Sequence, residues 1–125
     1  GIVVSGLGEG AFYVSLEGYR RAIENALGFT PYPGTLNIRL DPQSLMYRRY
    51  LDSLPGILIP GFSNGVRTYG AVKAFRARIR GVEGAVVMPE RTHHPTDVIE
   101  VVAPVKLRDV LGLKDGDRIE VEIYL

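Results

Sequence analysis

The sequence predicts a mainly-β fold, a small closed six-stranded barrel with one or two short helices. Short β-prone runs recur along the chain, separated by Gly and Pro, which end strands and build turns. One run, Tyr69–Arg80, alternates cleanly: Phe75, Ala77 and Ile79 fall on one face, Arg76, Arg78 and Arg80 on the other. Helical periodicity is confined to brief stretches, so a barrel fits better than a series of βαβ units.

The elements follow in order. Ile2-Val3-Val4 is a strand that runs into Gly6-Leu7-Gly8-Glu9-Gly10, and Phe12-Tyr13-Val14 resumes extended character. Ser15 is placed to cap a helix carrying Tyr19, Ile23, Ala26 and Leu27 at helical spacing, with Gly28 as its stop. Thr30-Pro31-Tyr32-Pro33-Gly34 is a rigid turn that delivers a strand over Thr35–Leu40. From Pro42 to Leu54 the pattern is ambiguous, and a short helix over the core fits it. Ile57-Leu58-Ile59 reads as a buried strand, and Ala85–Met88 and Val98–Val102 as two more. Lys106–Leu111 makes one or two helical turns, and Asp115-Gly116 turns the chain into a last strand, Arg118–Leu125. No repeat, linker or low-complexity tract divides the chain, so a single domain over residues 1–125 is expected. The first residue is Gly rather than Met, which leaves room for this domain to be the C-terminal part of a longer chain.

At 125 residues the chain can bury one real core. Apolar content of 46% with 23% charged residues excludes wholesale disorder. The net charge of +1 provides no global field to recruit nucleic acid or an anionic membrane. The basic residues are mostly Arg, which suits phosphate and carboxylate recognition but equally serves solvated surfaces. The absence of cysteine excludes disulfides, thiolate metal sites and thiol nucleophiles, and fits a reducing compartment. No apolar run approaches the ~20 residues of a membrane span, and no signal-peptide pattern opens the chain. A cytoplasmic monomer with no membrane or nucleic-acid partner is the resulting expectation.

Four constellations can carry chemistry. In Gly6-Leu7-Gly8-Glu9-Gly10, three alternate glycines let successive backbone N–H groups converge on phosphate oxygens. Read alone, the same glycines also make a bulged hairpin. Their spacing is not the dinucleotide fingerprint, and no GxxxxGK[ST] loop occurs. Glu9 would repel phosphate, but it can accept from an exocyclic amino group such as cytosine N4. Thr35 and Asn37 share one face of a strand and offer a hydroxyl and an amide oxygen to a hard cation such as Mg²⁺. Both are neutral, so phosphate oxygens would have to complete the site. Spacing alone favours the plainer reading, a polar strand face with a Thr–Asn hydrogen bond.

His93 and His94 are adjacent and so point apart on an extended chain; no third ligand stands at metal spacing, and a loop that merely contains His is the safer reading. No serine has the context of a nucleophile elbow. Pro104 followed by Val105-Lys106-Leu107-Arg108 presents N–H groups and basic side chains to an anion, or else forms an ordinary amphipathic connector. Lys73, on the Phe75 face, is the first choice for a cation reaching phosphate from a strand, whereas the Arg76, Arg78 and Arg80 face reads as solvated.

Several blocks occur together and in order: Ser5-Gly6-Leu7-Gly8-Glu9-Gly10, Leu27-Gly28-Phe29 with Pro31-Tyr32, Gly34-Thr35-Leu36-Asn37, Val72-Lys73, Thr92 with His94, Ile99-Glu100 before Ala103-Pro104, Lys106-Leu107-Arg108 and Leu113-Lys114-Asp115-Gly116-Asp117. The ordered set spans nearly the whole chain and resembles the archaeal CTP-dependent riboflavin kinases. That resemblance implies a cradle-loop β-barrel moving the γ-phosphoryl of CTP to the 5′-hydroxyl of riboflavin, giving FMN and CDP. It implies that Leu7, Gly8, Glu9, Gly10, Ala11 and Phe12, with Val105, Lys106, Leu107 and Arg108, hold the nucleotide. It further implies that Thr35 and Asn37 bind one Mg²⁺ completed by nucleotide phosphates, and that Thr92 and Glu100 contact the flavin. Glu100 is also a candidate general base. Some members of that family carry an N-terminal helix-turn-helix domain.

Two other readings remain open at this point. Leu113–Ile123 also resembles the closing strand of swapped-hairpin barrel transcription regulators, which would make the chain a DNA-binding module. Its near-zero net charge counts against a phosphate-backbone binder. A flavin-binding barrel without kinase activity is the third.

Overall fold

The two longest strands, β6 (Val72–Ile79) and β7 (Val82–Pro89), pair antiparallel along their full length. Alternation of apolar and polar residues makes β6, burying Phe75, Ala77 and Ile79 as expected. The turn between them is Arg80-Gly81, with φ of 47° and 85°. Two successive positive φ values match the hairpin to the right-handed twist of its strands.

The structure is a computed structural model that describes residues 1–5, 17–63, 65–66, 68–89 and 97–125. The other described elements are β1 (Ile2–Val4), α1 (Glu17–Leu27), β2 (Leu36–Arg39), α2 (Pro42–Ser53), β3 (Ile57–Ile59), β4 (Phe62–Ser63), β5 (Thr68–Tyr69), β8 (Val98–Val102), α3 (Leu107–Leu111) and β9 (Val121–Ile123). Phe12–Val14 and the Ser15 cap lie outside the described residues. Among the described residues no helix is long and apolar enough to cross a membrane.

The main sheet is antiparallel, in the order β1-β2-β8-β7-β6-β3. Strand β6 divides its second edge, pairing β3 through Val72–Ala74 and β9 through Ala77–Ile79. The mainly-β expectation holds, but the closed ladder is corrected. Among the described residues the regular strands form an open, curled half-barrel. Between β1 and β9 the described residues make an isolated bridge, Ile2 to Arg118, and hydrogen bonds from Val3 to Asp117, from Gly116 to Val3, and in both directions between Gly1 and Ile119, rather than a regular ladder. The last strand is therefore shorter than Arg118–Leu125, because the chain serves β1 before it serves β6.

Two apolar clusters hold the arc. The concave one is built on Val3, Ile38, Ile79, Val86, Met88 and Val101. On the convex side α1 lays Tyr19, Ile23 and Leu27 against Ile59, Ala74, Ala85 and Val102. The small side chains of Ala74 and Ala85 let the helix sit close, and each large buried apolar side chain contributes about 1.5–3 kcal/mol. The C-terminal carbonyl of Leu27 accepts from Arg76 Nη1 at 2.9 Å, so one arginine of the predicted solvated face also caps a helix.

The ambiguous stretch after Pro42 is the helix α2. Asp41 caps it, accepting the Ser44 N–H at 2.8 Å, and Pro42 occupies the first turn. That N–H, with the Ser44 hydroxyl second, holds the Asp41 carboxyl below its usual range. Two further expectations are corrected here. Strand β3 lies at the sheet edge, and Leu58 is 57% exposed although Ile59 is fully buried. Lys73 does not reach toward a phosphate site. Its Nζ is buried and donates to the carbonyls of Leu51, Asp52 and Leu54 at 3.1, 2.8 and 2.9 Å. These carbonyls lie at the end of α2, where the helix dipole favours a cation, and that of Leu51 also takes the Leu54 N–H at 3.1 Å.

Candidate functional site

Strand register brings the predicted polar residues together. Asn37 on β2 is the partner of Val4 on β1 and of Glu100 on β8, and Glu100 is in turn the partner of Val87 on β7. Directly paired residues share a face, with Cβ atoms about 4.5–5.5 Å apart. Thr35 joins them from two residues upstream of Asn37, on the same side. Its Oγ1 donates to Glu100 Oε1 at 3.0 Å. Thr35, Asn37 and Glu100 are all half-buried, open enough for a ligand and enclosed enough to strengthen a charge interaction.

The Asn37 amide is oriented within the same cluster, its Nδ2 lying 3.5 Å from the Thr35 carbonyl. That contact occupies the donor end of the amide and leaves Oδ1 able to accept. The set therefore offers a hydroxyl, an amide oxygen and a carboxylate, all hard donors of the kind Mg²⁺ selects. Among the described residues no group of three or more His, Cys, Asp or Glu residues gathers to hold a metal, so a softer or all-carboxylate centre has no support there.

Val105–Arg108 continues directly from the strand that carries Glu100. The Tyr32 N–H donates to the Ala103 carbonyl at 2.7 Å, tying this segment to the turn that leads into Thr35. Of the four residues expected at a nucleotide, Leu107 turns its side chain into the core and Val105 packs against it. The Leu107 side chain is buried, so only its backbone is left to face a ligand. Lys106 is exposed, with Nζ 3.9 Å from Asp109 Oδ1, a loose pair that a phosphate can replace.

Arg108 is committed more firmly. Its Nη2 donates to the Val4 carbonyl at 3.1 Å and to Asp115 Oδ1 at 2.5 Å. The other carboxylate oxygen, Asp115 Oδ2, accepts the Ser5 hydroxyl at 2.5 Å. The Ser5 hydroxyl, then Arg108, hold the Asp115 carboxyl below its usual range, so it is ionised at neutral pH. From sequence Asp115 is only a turn residue and Ser5 only the start of the Gly-rich block. They stand 110 positions apart, and no local pattern announces their contact.

The remaining predicted residues, Leu7, Gly8, Glu9, Gly10, Ala11, Phe12 and Thr92, lie outside the described residues, as do His93 and His94. The described chain does fix where those segments attach. Val4, two residues before the Gly-rich segment begins in sequence, pairs with Asn37 and accepts from Arg108. The segment holding Thr92 enters β8 ahead of Glu100.

Comparison with known proteins supplies the family. The model of the CTP-dependent riboflavin kinase family, described as "Domain of unknown function DUF120", matches residues 3–123. A riboflavin kinase of Pyrobaculum islandicum is 82% identical over 125 residues, covering 100% of this chain and 59% of that protein. One from Pyrobaculum arsenaticum is likewise 82% identical, over 100% of this chain and 60% of the relative. The riboflavin kinase of Archaeoglobus fulgidus is 60% identical over 100% of this chain and 54% of its own length. The chain thus spans little more than half the length of the curated relatives it matches. The match runs through β1, the Thr35–Asn37 strand, Glu100 and the Arg108 segment alike, and the chain belongs to the CTP-dependent riboflavin kinase family.

Proposed function

We propose that this chain is the domain of a riboflavin kinase that transfers the γ-phosphoryl of CTP to the ribityl 5′-hydroxyl, yielding FMN and CDP. The observation that supports it most is the clustering of Thr35, Asn37 and Glu100, which puts oxygen ligands for a cation beside a carboxylate able to grip the flavin. The family match and the names of the relatives supply the substrates.

Phosphoryl transfer asks for alignment and charge neutralisation more than for covalent chemistry. The new bond joins the riboflavin 5′-oxygen to the γ-phosphorus, the bond to the bridging oxygen of CDP breaks, and the hydroxyl proton must leave. Thr35 Oγ1 and Asn37 Oδ1 would hold one Mg²⁺, with nucleotide phosphates completing it because both ligands are neutral. When bound, that ion neutralises phosphate charge.

Gly8 and Gly10 would supply backbone N–H groups to the phosphates, and Leu7, Ala11 and Phe12 would wall the nucleotide. Glu9 would accept from cytosine N4. Val105, Lys106, Leu107 and Arg108 would form a second wall, Lys106 by charge and Leu107 by its backbone. Thr92 and Glu100 would contact the flavin. Oε1 of Glu100 is already engaged by Thr35, so Oε2 is the atom left to accept from the flavin or to take the 5′-hydroxyl proton. Nothing favours the regulator reading over this one: the family match covers the Leu113–Ile123 segment on which that reading stood.

The test is direct. The protein is incubated with riboflavin, Mg²⁺ and each of the four nucleoside triphosphates in turn, and FMN is followed by chromatography. FMN with CTP alone is expected. No FMN with any triphosphate would overturn the proposal, and FMN with ATP in preference to CTP would overturn its nucleotide assignment.

A further inference from the structure

We infer that Asp115 is a positioning residue for the nucleotide, its single carboxylate fastening together the two chain segments proposed to hold CTP. The inference rests on the nucleotide assignment above and adds a residue to which that assignment gives no role.

The contacts divide between the two oxygens. Oδ2 takes the Ser5 hydroxyl and Oδ1 takes Arg108 Nη2, each at 2.5 Å. Ser5 is the last residue before the Gly-rich segment, and Arg108 ends the Val105–Arg108 segment. Arg108 Nη2 also reaches the Val4 carbonyl at 3.1 Å, so the guanidinium spans from α3 to the end of β1. Both partners thus lie within two residues of a proposed nucleotide contact, on walls about a hundred positions apart in sequence.

The turn that carries Asp115 is itself anchored. Asp117 donates its N–H to the Lys114 carbonyl at 3.1 Å, and Lys114 donates its own to Asp117 Oδ2 at 3.0 Å. Gly116 donates to the Val3 carbonyl and Val3 donates to the Asp117 carbonyl, both at 2.8 Å. The carboxylate is therefore presented from a fixed platform, and holding two donors costs little further ordering. A lone surface ion pair adds little to stability. A carboxylate that accepts from both Ser5 and Arg108 acts instead on the separation of those two residues, and a misplacement of 1 Å can cost a large factor in a transfer reaction.

A role in positioning predicts a split in the kinetics. In the full-length protein, Asp115→Asn and Ser5→Ala should each raise KM for CTP about tenfold, the scale of one charge-assisted contact. KM for riboflavin and the melting temperature should stay near wild type. The double variant Ser5→Ala/Asp115→Asn should be no worse than the worse single one, since both remove the same link. Ser5→Thr, which keeps the hydroxyl, should restore the wild-type KM for CTP. An unchanged KM for CTP in Asp115→Asn, with the wild type turning over CTP normally, overturns the inference and leaves the kinase assignment standing. A lower melting temperature with both KM values unchanged also overturns it, marking a purely structural contact. A wild-type protein that makes no FMN from CTP removes the kinase reading itself, and this inference with it.

Discussion

At the scale of single residues, the site depends on side chains that are weak ligands alone. Thr35 and Asn37 carry no charge, and each is satisfied locally, Thr35 by Glu100 and the Asn37 amide by the Thr35 carbonyl. On the proposed assignment a cation would gain from this pair only when phosphate oxygens arrive with it, which would link metal binding to nucleotide binding. Asn37→Ala would remove one proposed ligand oxygen without changing Glu100. It should lower kcat about 100-fold, the loss of a few kcal/mol of charge stabilisation in the transition state. Riboflavin affinity, read by quenching of flavin fluorescence, should be unchanged. Asn37→Asp keeps an oxygen at that position and should retain more activity than Asn37→Ala. Full activity of Asn37→Ala at low Mg²⁺ would disprove the metal assignment.

At the scale of elements, helix ends are secured by cations from β6. Arg76 meets the end of α1, and Lys73, on the other face of the same strand, meets the end of α2. The two differ in burial and so in consequence. Arg76 is exposed, and water can replace it at the Leu27 carbonyl. Lys73 is buried, and its bond to the Leu51 carbonyl is buried while those to Asp52 and Leu54 are partly so, which limits how well water can take its place. Lys73→Met preserves the aliphatic stem and removes the donor. It should destabilise the protein by about 2–3 kcal/mol in urea unfolding, the penalty for unsatisfied buried acceptors. KM for CTP should not change under conditions where the variant is folded. A rise in KM for CTP with unchanged stability would instead return Lys73 to the phosphate site expected from sequence.

At the scale of the whole molecule, what was legible in the sequence is what depends on neighbours along the chain. Alternation over Tyr69–Arg80 located β6 and its buried face, helical spacing located Tyr19, Ile23 and Leu27, and the i, i+2 rule put Thr35 and Asn37 on one side. Contacts that depend on register or on chain return were not legible. The pairing of Asn37 with Glu100 spans two strands, Lys73 meets carbonyls 19–22 positions away, and Ser5 meets Asp115 across almost the whole chain. Closure belongs to the same class. A barrel was expected from strand count, but the gap between β1 and β9 is spanned by the irregular stretch 116–119, whose bonds to β1 have no periodic signature.

That stretch can be tested through Gly116. Its φ is 92°, where an L side chain is strained, yet an added Cβ would meet nothing within 4 Å. Gly116→Ala therefore perturbs the backbone alone, at a cost of about 1–2 kcal/mol. Because the Gly116 N–H serves Val3, the strain falls on the link between β1 and the closing stretch rather than on the β6–β7 hairpin. Native-state hydrogen exchange should show the amides of Val3, Gly116 and Ile119 losing protection more than those of Phe75 and Val86, which pair within the sheet. Equal loss at all five would mean that the half-barrel and its closing stretch unfold as one unit.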